Sequence, residues 1–122
     1  MQSESSKPVK TILVVNDDDE SRVLLKFFLD NVGYAVDLAP NAEEGLSRFD
    51  RNLHDLVLTD NSMPGMSGVE MAHIIKMRSP TTPVIMFTGN PPKDHSAVDL
   101  VIAKPAHLIE IKEAVEKWLA PQ

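Results

Sequence analysis

The chain contains no cysteine, which excludes disulfide bonds, thiolate metal sites and a cysteine nucleophile. Aromatic residues make up only 5% of the sequence, and its 12 basic residues are outnumbered by 18 acidic ones. The formal charge of −6 argues against direct binding of nucleic acid, because nucleic-acid modules usually carry a basic face. No apolar run approaches the length of a membrane span. These absences predict a cytoplasmic protein that binds neither nucleic acid nor membrane directly.

The length of 122 residues fits one folded domain and leaves no room for a second. Residues 1–8 are polar and lack the apolar stretch of a signal peptide, so we expect a short disordered leader there. With 43% apolar residues, the chain can bury a core of ordinary size. We predict a single domain over residues 9–120.

Short β-branched apolar segments alternate along the chain with segments in which apolar residues recur at helical spacing. We predict strands at residues 10–16, 34–38, 56–59, 83–88 and 100–103, and helices at residues 21–32, 41–49, 69–77 and 105–119. Such alternation implies that the strands pair in parallel through right-handed crossovers. The predicted fold is a flavodoxin-like α/β domain, with a doubly wound five-stranded parallel sheet in the order 2-1-3-4-5.

The connection between the fourth and fifth strands is short, because only residues 89–99 separate Thr88 from the last strand. A crossover that includes a helix needs at least about 10–12 residues. Asn90-Pro91-Pro92 uses up part of this length, since proline is tolerated only in the first turn of a helix. We therefore predict that the fourth helix is shortened or missing.

Polar and charged residues fall at the carboxyl ends of the predicted strands. They are Asn16, Asp17 and Asp18 after the first strand, Asp60 after the third, Thr88 at the end of the fourth and Lys104 after the fifth. Ligands of doubly wound sheets bind at these ends, near the point where the strand order reverses. In the predicted order, Asp17 and Asp60 face each other across one cleft, and Thr88 and Lys104 close its other side.

This set of side chains indicates phosphoryl transfer. Carboxylates gathered within a few ångströms repel one another, and a hard divalent cation such as Mg²⁺ removes that conflict. A metal, a lysine ammonium and a hydroxyl together can stabilise the charge on a phosphoryl group in transfer. An aspartate such as Asp60 can act as the nucleophile and form an acyl phosphate.

Five segments of the chain resemble the motifs of the response regulator receiver domain, the CheY-like fold, over residues 9–120. These segments are Ile12-Leu-Val-Val-Asn-Asp-Asp18, Asp55-Leu-Val-Leu-Thr-Asp60, Met63-Pro-Gly-Met-Ser-Gly68, Pro83-Val-Ile-Met-Phe-Thr-Gly89 and Ala103-Lys-Pro105. Any one of them is a weak signal. All five together, in the order of the family and at the strand ends, make a strong resemblance.

The resemblance implies a role for each polar residue. Asp60 matches the phosphoacceptor, with a sensor histidine kinase, a phosphotransfer protein or a small acyl phosphate as donor. Asp17 would bind Mg²⁺ directly, and Ser62 would offer its backbone carbonyl to the metal. Thr88 matches the hydroxyl that moves toward the phosphoryl group, and Lys104 matches the family's lysine. The peptide bond between Lys104 and Pro105 matches a cis peptide bond of the family.

The chain departs from the family pattern at two positions. Asn16 stands where most members carry the first acid of a pair, so one negative charge is lost while the amide can still hold a metal-bound water. We expect weaker Mg²⁺ binding, not its absence. In an alternative register Asp17 and Asp18 form the pair, which requires the first strand to run one residue longer. Val101 occupies the place of the aromatic residue that reports phosphorylation to the surface.

Three functions from different classes remain open at this stage. The first is a signalling module in which phosphorylation of Asp60 alters the binding of a downstream partner that the sequence does not identify. It would be a free-standing regulator or phosphate relay, or a piece of a longer hybrid protein. The second is a pseudo-receiver that binds partners without phosphorylation. The third is a phosphohydrolase of the haloacid dehalogenase kind, although residues 17–20 lack the glycine of that motif. We expect no enzymatic activity beyond the chain's own phosphorylation and dephosphorylation.

Overall fold

Five strands and four helices follow one another along residues 9–120, the part of the chain that this computed structural model describes. The predicted leader at residues 1–8 lies outside the described residues. The elements are β1 (Thr11–Val15), α1 (Asp19–Asn31), β2 (Ala35–Ala39), α2 (Ala42–Arg48), β3 (Leu56–Thr59), α3 (Gly68–Arg78), β4 (Val84–Thr88), β5 (Leu100–Ala103) and α4 (Leu108–Leu119). None of the four helices has both the length and the apolar character that spanning a bilayer requires.

All five strands pair in parallel in the order β2-β1-β3-β4-β5, which confirms the predicted topology. Successive residues of a strand point to opposite faces of the sheet, so each strand contributes to two core layers. Leu13 packs on the face covered by α2 and α3, and Val14 packs on the face covered by α1 and α4. Because both faces are covered, the polar groups of the central strands reach solvent only at the strand ends.

The predicted first residues of α1 and α4 are wrong. In the structure, capping side chains set where these two helices begin. Helix α1 begins at Asp19, two residues before the predicted start, because the carboxylate of Asp18 accepts the N–H of Ser21 and caps the first turn. The last helix begins at Leu108 and not at residue 105. There the side chain of Glu110 accepts the N–H of His107 at 2.9 Å. Apolar periodicity locates a helix, but the capping side chains decide its first residue.

The connection between β4 and β5 contains no helix, as the short spacing predicted. Ala97 and Val98 are buried against the core face that α2 and α3 cover, where a crossover helix would otherwise pack. Asp99 holds the end of this connection in place. Its Oδ2 accepts the N–H of Val84 at 2.7 Å and the ammonium of Lys76 at 2.6 Å. A pinned loop therefore replaces the fourth helix.

Helix α3 begins against the backbone of Asp60 and Asn61, which directly follow β3. The N–H of Gly68 donates to the carbonyl of Asn61 at 2.9 Å. A Cβ atom on Gly68 would lie only 2.1 Å from the backbone carbonyl oxygen of Asp60. Only glycine permits this approach, which fixes the helix beside the carboxyl end of β3.

We predict that Gly68→Ala lowers the free energy of unfolding by about 3 kcal/mol, because the added methyl group collides with backbone that cannot rotate away. Gly89→Ala is the matched control, since its Cβ would meet no atom closer than 3.9 Å. Urea denaturation of the two variants measures the difference. Equal stability of the two variants would contradict the proposed close contact.

Candidate functional site

The polar residues identified from the sequence gather at one edge of the sheet, where parallel strands end side by side. The N–H of Asp60 donates to the carbonyl of Val15 at 3.1 Å, so the end of β3 lies directly beside the end of β1. On the other side, the N–H of Lys104 donates to the carbonyl of Thr88 at 2.9 Å. The order of the strands thus brings four separate segments of the chain to one cleft.

Asp60 and Lys104 are in direct contact. The ammonium of Lys104 lies 3.3 Å from Oδ2 of Asp60, and the other carboxylate oxygen accepts the N–H of Asn61 at 2.6 Å. Only 14% of the Asp60 side chain is exposed. The carboxylate is therefore partly desolvated and held by two donors, one of them cationic, with an opening to solvent left on one side.

Lys104 also lies against the aromatic ring of Phe87. Its ammonium is 5.1 Å from the ring centroid, within the range of a cation–π contact. The side chain is thus placed by two attractions, the ring on one side and the Asp60 carboxylate on the other. The peptide bond between Lys104 and Pro105 is cis, as the family resemblance predicted.

Thr88 lies at the end of β4, and almost none of it is exposed. Its Oγ1 accepts the N–H of Asn90 at 3.1 Å. The hydroxyl is therefore held by the first residues of the loop that replaces the fourth helix. The structure places Thr88 at the predicted edge but engages its hydroxyl with that loop.

The end of β1 resolves the two registers that the sequence left open. The strand ends at Val15, and Asn16 follows it with only 3% exposed. The Asp18 carboxylate is occupied in capping α1, where the hydroxyl of Ser21 donates to it at 2.6 Å and the N–H of Ser21 at 2.9 Å. Both hydrogen bonds lower the pKa of Asp18, and the bond from the Ser21 hydroxyl has the larger effect. The structure therefore favours Asn16 and Asp17 as the polar pair.

Asn16 and Asp17 present different groups to the cleft edge. The side-chain oxygen of Asn16 accepts the N–H of Asp18 at 2.8 Å, which folds the loop into a tight turn. The carbonyl of Asn16 accepts Nη1 of Arg22 at 2.7 Å. Asp17 is exposed, and within residues 9–120 no hydrogen bond or ion pair engages its carboxylate. That carboxylate is available to a ligand.

The loop between β3 and α3, residues 61–67, borders the cleft beyond Asp60. Its first residue is fixed twice, because the carbonyl and the side-chain oxygen of Asn61 accept the N–H groups of Gly68 and Val69. Ser62 is exposed, and its hydroxyl lies 3.5 Å from the side-chain nitrogen of Asn90. Ser62 therefore sits at the mouth of the cleft, opposite the loop that holds Thr88.

The donor atoms of this edge fit Mg²⁺. Among residues 9–120 no group of three or more carboxylate, histidine or cysteine side chains is arranged to hold a metal. Because residue 16 is an amide, this edge offers two carboxylates, Asp17 and Asp60, and amide and carbonyl oxygens. Mg²⁺ commonly binds through one or two carboxylates and keeps several waters. The residues present thus suit this cation.

Sequence patterns did not reveal three neighbours of the site. Arg22 is spaced like any helical surface residue, yet it binds Asn16 and also pairs with Asp19. Asn61 and Phe87 flank motif residues, but their contacts with Asp60 and Lys104 depend on backbone geometry. Adjacency to a motif residue was the only available signal for the last two.

Comparisons with known proteins agree with the geometry. A model of the response regulator receiver domain matches residues 12–116. The response regulator receiver protein CpdR of Brucella abortus is 32% identical over 117 residues, which cover 91% of this chain and 98% of CpdR. Other relatives are longer, and the chain spans 32% of the transcriptional regulatory protein ResD of Bacillus subtilis and 13% of the sensor kinase LuxN of Vibrio harveyi.

Solved structures show the same fold. The response regulator TrrA of Thermotoga maritima, crystallised with Mg²⁺ and a beryllium fluoride, is 37% identical, with a TM-score of 0.84 and coverage of 91% of this chain and 100% of TrrA. TrrA in complex with the histidine kinase ThkA gives a TM-score of 0.83, with coverage of 92% of this chain and 100% of TrrA. Family model, sequence relatives and fold agree, and the chain belongs to the response regulator receiver domain family of two-component systems.

Proposed function

We propose that this receiver domain accepts a phosphoryl group on Asp60 and that the acyl phosphate changes its affinity for a protein partner. The observation that carries the proposal is the contact of 3.3 Å between the Lys104 ammonium and the largely buried Asp60 carboxylate at the carboxyl edge of the sheet. A cation in this place lessens the repulsion between the carboxylate and an approaching phosphoryl group. Fold and family support the same role.

The phosphoryl group moves from the donor to Asp60 in a single displacement at phosphorus. A carboxylate oxygen of Asp60 forms a bond to phosphorus while the bond from phosphorus to the donor's histidine nitrogen, or to the oxygen of a small acyl phosphate, breaks. The electron pair of the broken bond leaves with the donor. Lys104 then faces more negative charge than before, and its ammonium is positioned to bind a phosphoryl oxygen. In dephosphorylation a water oxygen bonds to the same phosphorus while the bond to the Asp60 oxygen breaks, which restores the carboxylate and releases inorganic phosphate. We propose no other catalytic activity.

Mg²⁺ is the cofactor that this proposal assigns, held by the carboxylates of Asp17 and Asp60 and the backbone carbonyl of Ser62, with Asn16 holding a metal-bound water. When bound, the cation neutralises charge on the carboxylates and on the phosphoryl oxygens. The crystals of TrrA with Mg²⁺ and a beryllium fluoride support this assignment. The exposed, unengaged carboxylate of Asp17 supports it from this chain's own geometry.

The switch that we propose runs from Thr88 into the loop of residues 89–99. The hydroxyl oxygen of Thr88 accepts the N–H of Asn90, so its own hydrogen is available to donate to a phosphoryl oxygen. A shift of Thr88 toward Asp60 would draw on the first residues of the loop. Since Val101 replaces the usual aromatic reporter, we place the change that a partner detects in this loop. Phosphorylation would then shift the population of loop conformations, and this shift alters the affinity for the partner.

We predict that acetyl phosphate with Mg²⁺ adds one phosphoryl group to the unsubstituted chain and none to Asp60→Asn, which lacks the nucleophilic oxygen. Intact-protein mass spectrometry measures the gain. Asp30→Asn, on the exposed end of α1, is the matched control and retains it. Chelation of Mg²⁺ should abolish the gain in the unsubstituted chain and in Asp30→Asn. An unsubstituted chain that never gains mass, or an Asp60→Asn variant that does, would favour the pseudo-receiver.

We predict that Asn16→Asp binds Mg²⁺ about tenfold more tightly, because a third carboxylate restores the charge that the cation neutralises. Without metal the same variant should melt at a lower temperature, since the new carboxylate is buried at an edge that already carries Asp17 and Asp60. Thermal melts with and without Mg²⁺ measure both effects. Asn41→Asp is the matched control, because Asn41 also accepts a backbone N–H at a turn but lies at the cap of α2. Similar Mg²⁺ responses of both variants would contradict the assignment of Asn16.

We propose that the phosphohistidine donor docks on α1. Val23, Leu24 and Phe27 form an apolar surface on this helix, with 65%, 53% and 69% of each residue exposed. The surface adjoins Asp19 and Glu20 in the first turn, next to the acidic end of β1. A donor must cover this edge to reach Asp60, so the same partner can bury the apolar surface. The complex of TrrA with a histidine kinase supports a partner of this class.

We predict that Phe27→Ala slows phosphoryl transfer from a histidine kinase about tenfold, because the complex loses an aromatic contact that docking would bury. Its rate with acetyl phosphate should stay unchanged, because the small donor needs no docking surface. Met77→Ala is the matched control, since Met77 is an apolar residue of α3 with 82% exposed. Transfer is followed with a phosphorylated kinase that labels the unsubstituted chain. An equal loss with acetyl phosphate would contradict docking at α1.

A further inference from the structure

Glu43, in the first turn of α2, contacts the tip of the loop between β3 and α3. Its Oε2 accepts the N–H of Met66 at 3.1 Å, a bond between residues far apart in sequence. The neighbouring Gly65 has a φ of +81°, and a Cβ atom there would lie 2.9 Å from the same carboxylate oxygen. The positive φ is the reason for glycine at position 65, and a Cβ atom there would also push the Glu43 carboxylate away from the loop.

This contact stabilises a loop with no regular secondary structure of its own. The loop begins at Asn61, which is fixed to α3, and ends at Ser67, whose side chain caps α3 by accepting the N–H of Glu70. Between these ends, Met63 packs into the core and Glu43 binds the backbone at Met66. The orientation of the peptide groups from Ser62 onward depends on these intermediate anchors.

We propose that Glu43 is a positioning residue for the metal site, because it fixes the loop that presents the Ser62 carbonyl. This inference rests on the proposed function, since it assumes that the carbonyl is a Mg²⁺ ligand. Glu43 itself binds the loop backbone and acts on the metal only through Ser62. Partners that hydrogen-bond a metal ligand directly typically change metal affinity by about 10–100-fold when removed, so for an anchor that acts through the loop we expect the lower end of this range.

The adjacent Glu44 provides a matched comparison within the same turn of α2. It carries the same charge, but its carboxylate lies 3.6 Å from Nε of Arg48 on its own helix. Glu44→Ala therefore removes an equal charge near the site without touching the loop. Glu43→Gln tests the opposite case, because its amide oxygen can accept the same N–H of Met66 without the charge.

The experiment is a Mg²⁺ titration followed by backbone amide NMR shifts in four proteins, the unsubstituted chain, Glu43→Ala, Glu43→Gln and Glu44→Ala. We expect Glu43→Ala to bind Mg²⁺ about tenfold more weakly. The other two variants should stay within about twofold of the unsubstituted chain, because each keeps the bond to Met66. In metal-free protein, the amide of Met66 should exchange with solvent faster in Glu43→Ala than in Glu44→Ala.

Any other outcome overturns the positioning role of Glu43. Mg²⁺ affinity of Glu43→Ala equal to that of the unsubstituted chain shows that the loop needs no such anchor. Equal losses in Glu43→Gln or Glu44→Ala show that charge, not the hydrogen bond, is responsible. An unsubstituted chain that binds no Mg²⁺ overturns the proposed metal site and the role of Glu43 with it, whereas the first two results leave the metal site intact.

Discussion

The parallel pairing of β1 with β3 is the constraint on which the site depends. Parallel neighbours end at the same edge, so the hydrogen bond from the Asp60 N–H to the Val15 carbonyl also brings the acidic end of β1 beside the carboxylate of β3. An inserted strand between them would separate Asp17 from Asp60 by about 5 Å more. β4 and β5 extend the same edge and deliver Lys104, whose cationic side chain makes a partly buried carboxylate tolerable.

The sheet and the position of the polar residues at its carboxyl edge could be predicted because both depend on short-range signals. Buried parallel strands are continuous apolar runs, and the polar residues that interrupt them mark their ends. The helix starts could not be predicted from apolar periodicity, because Asp18 and Glu110 set them through hydrogen bonds to backbone. The contact of Glu43 with Met66 left no pattern in the sequence, since it depends on how α2 packs beside a loop formed later in the chain.

The amide at position 16 contributes no charge to an edge that is otherwise rich in acids. The acidic run that follows it, residues 17–20, still places four carboxylates close together. Arg22 offsets part of this charge, because it binds the carbonyl of Asn16 and pairs with Asp19. The cleft is therefore less negative than four neighbouring acids would make it, which reduces the repulsion among its carboxylates.

The loop that replaces the fourth helix has a consequence for local unfolding. Residues 93–96 are exposed and lack helix or strand hydrogen bonds, whereas Val98 and Asp99 are held by the core and by Lys76. Segments of this kind open at a small fraction of the global free energy. Opening here leaves the five strands paired and presents Lys93 in extended form to a protease such as trypsin. A cut after Lys93 would separate the strand that carries Thr88 from the strand that leads to Lys104.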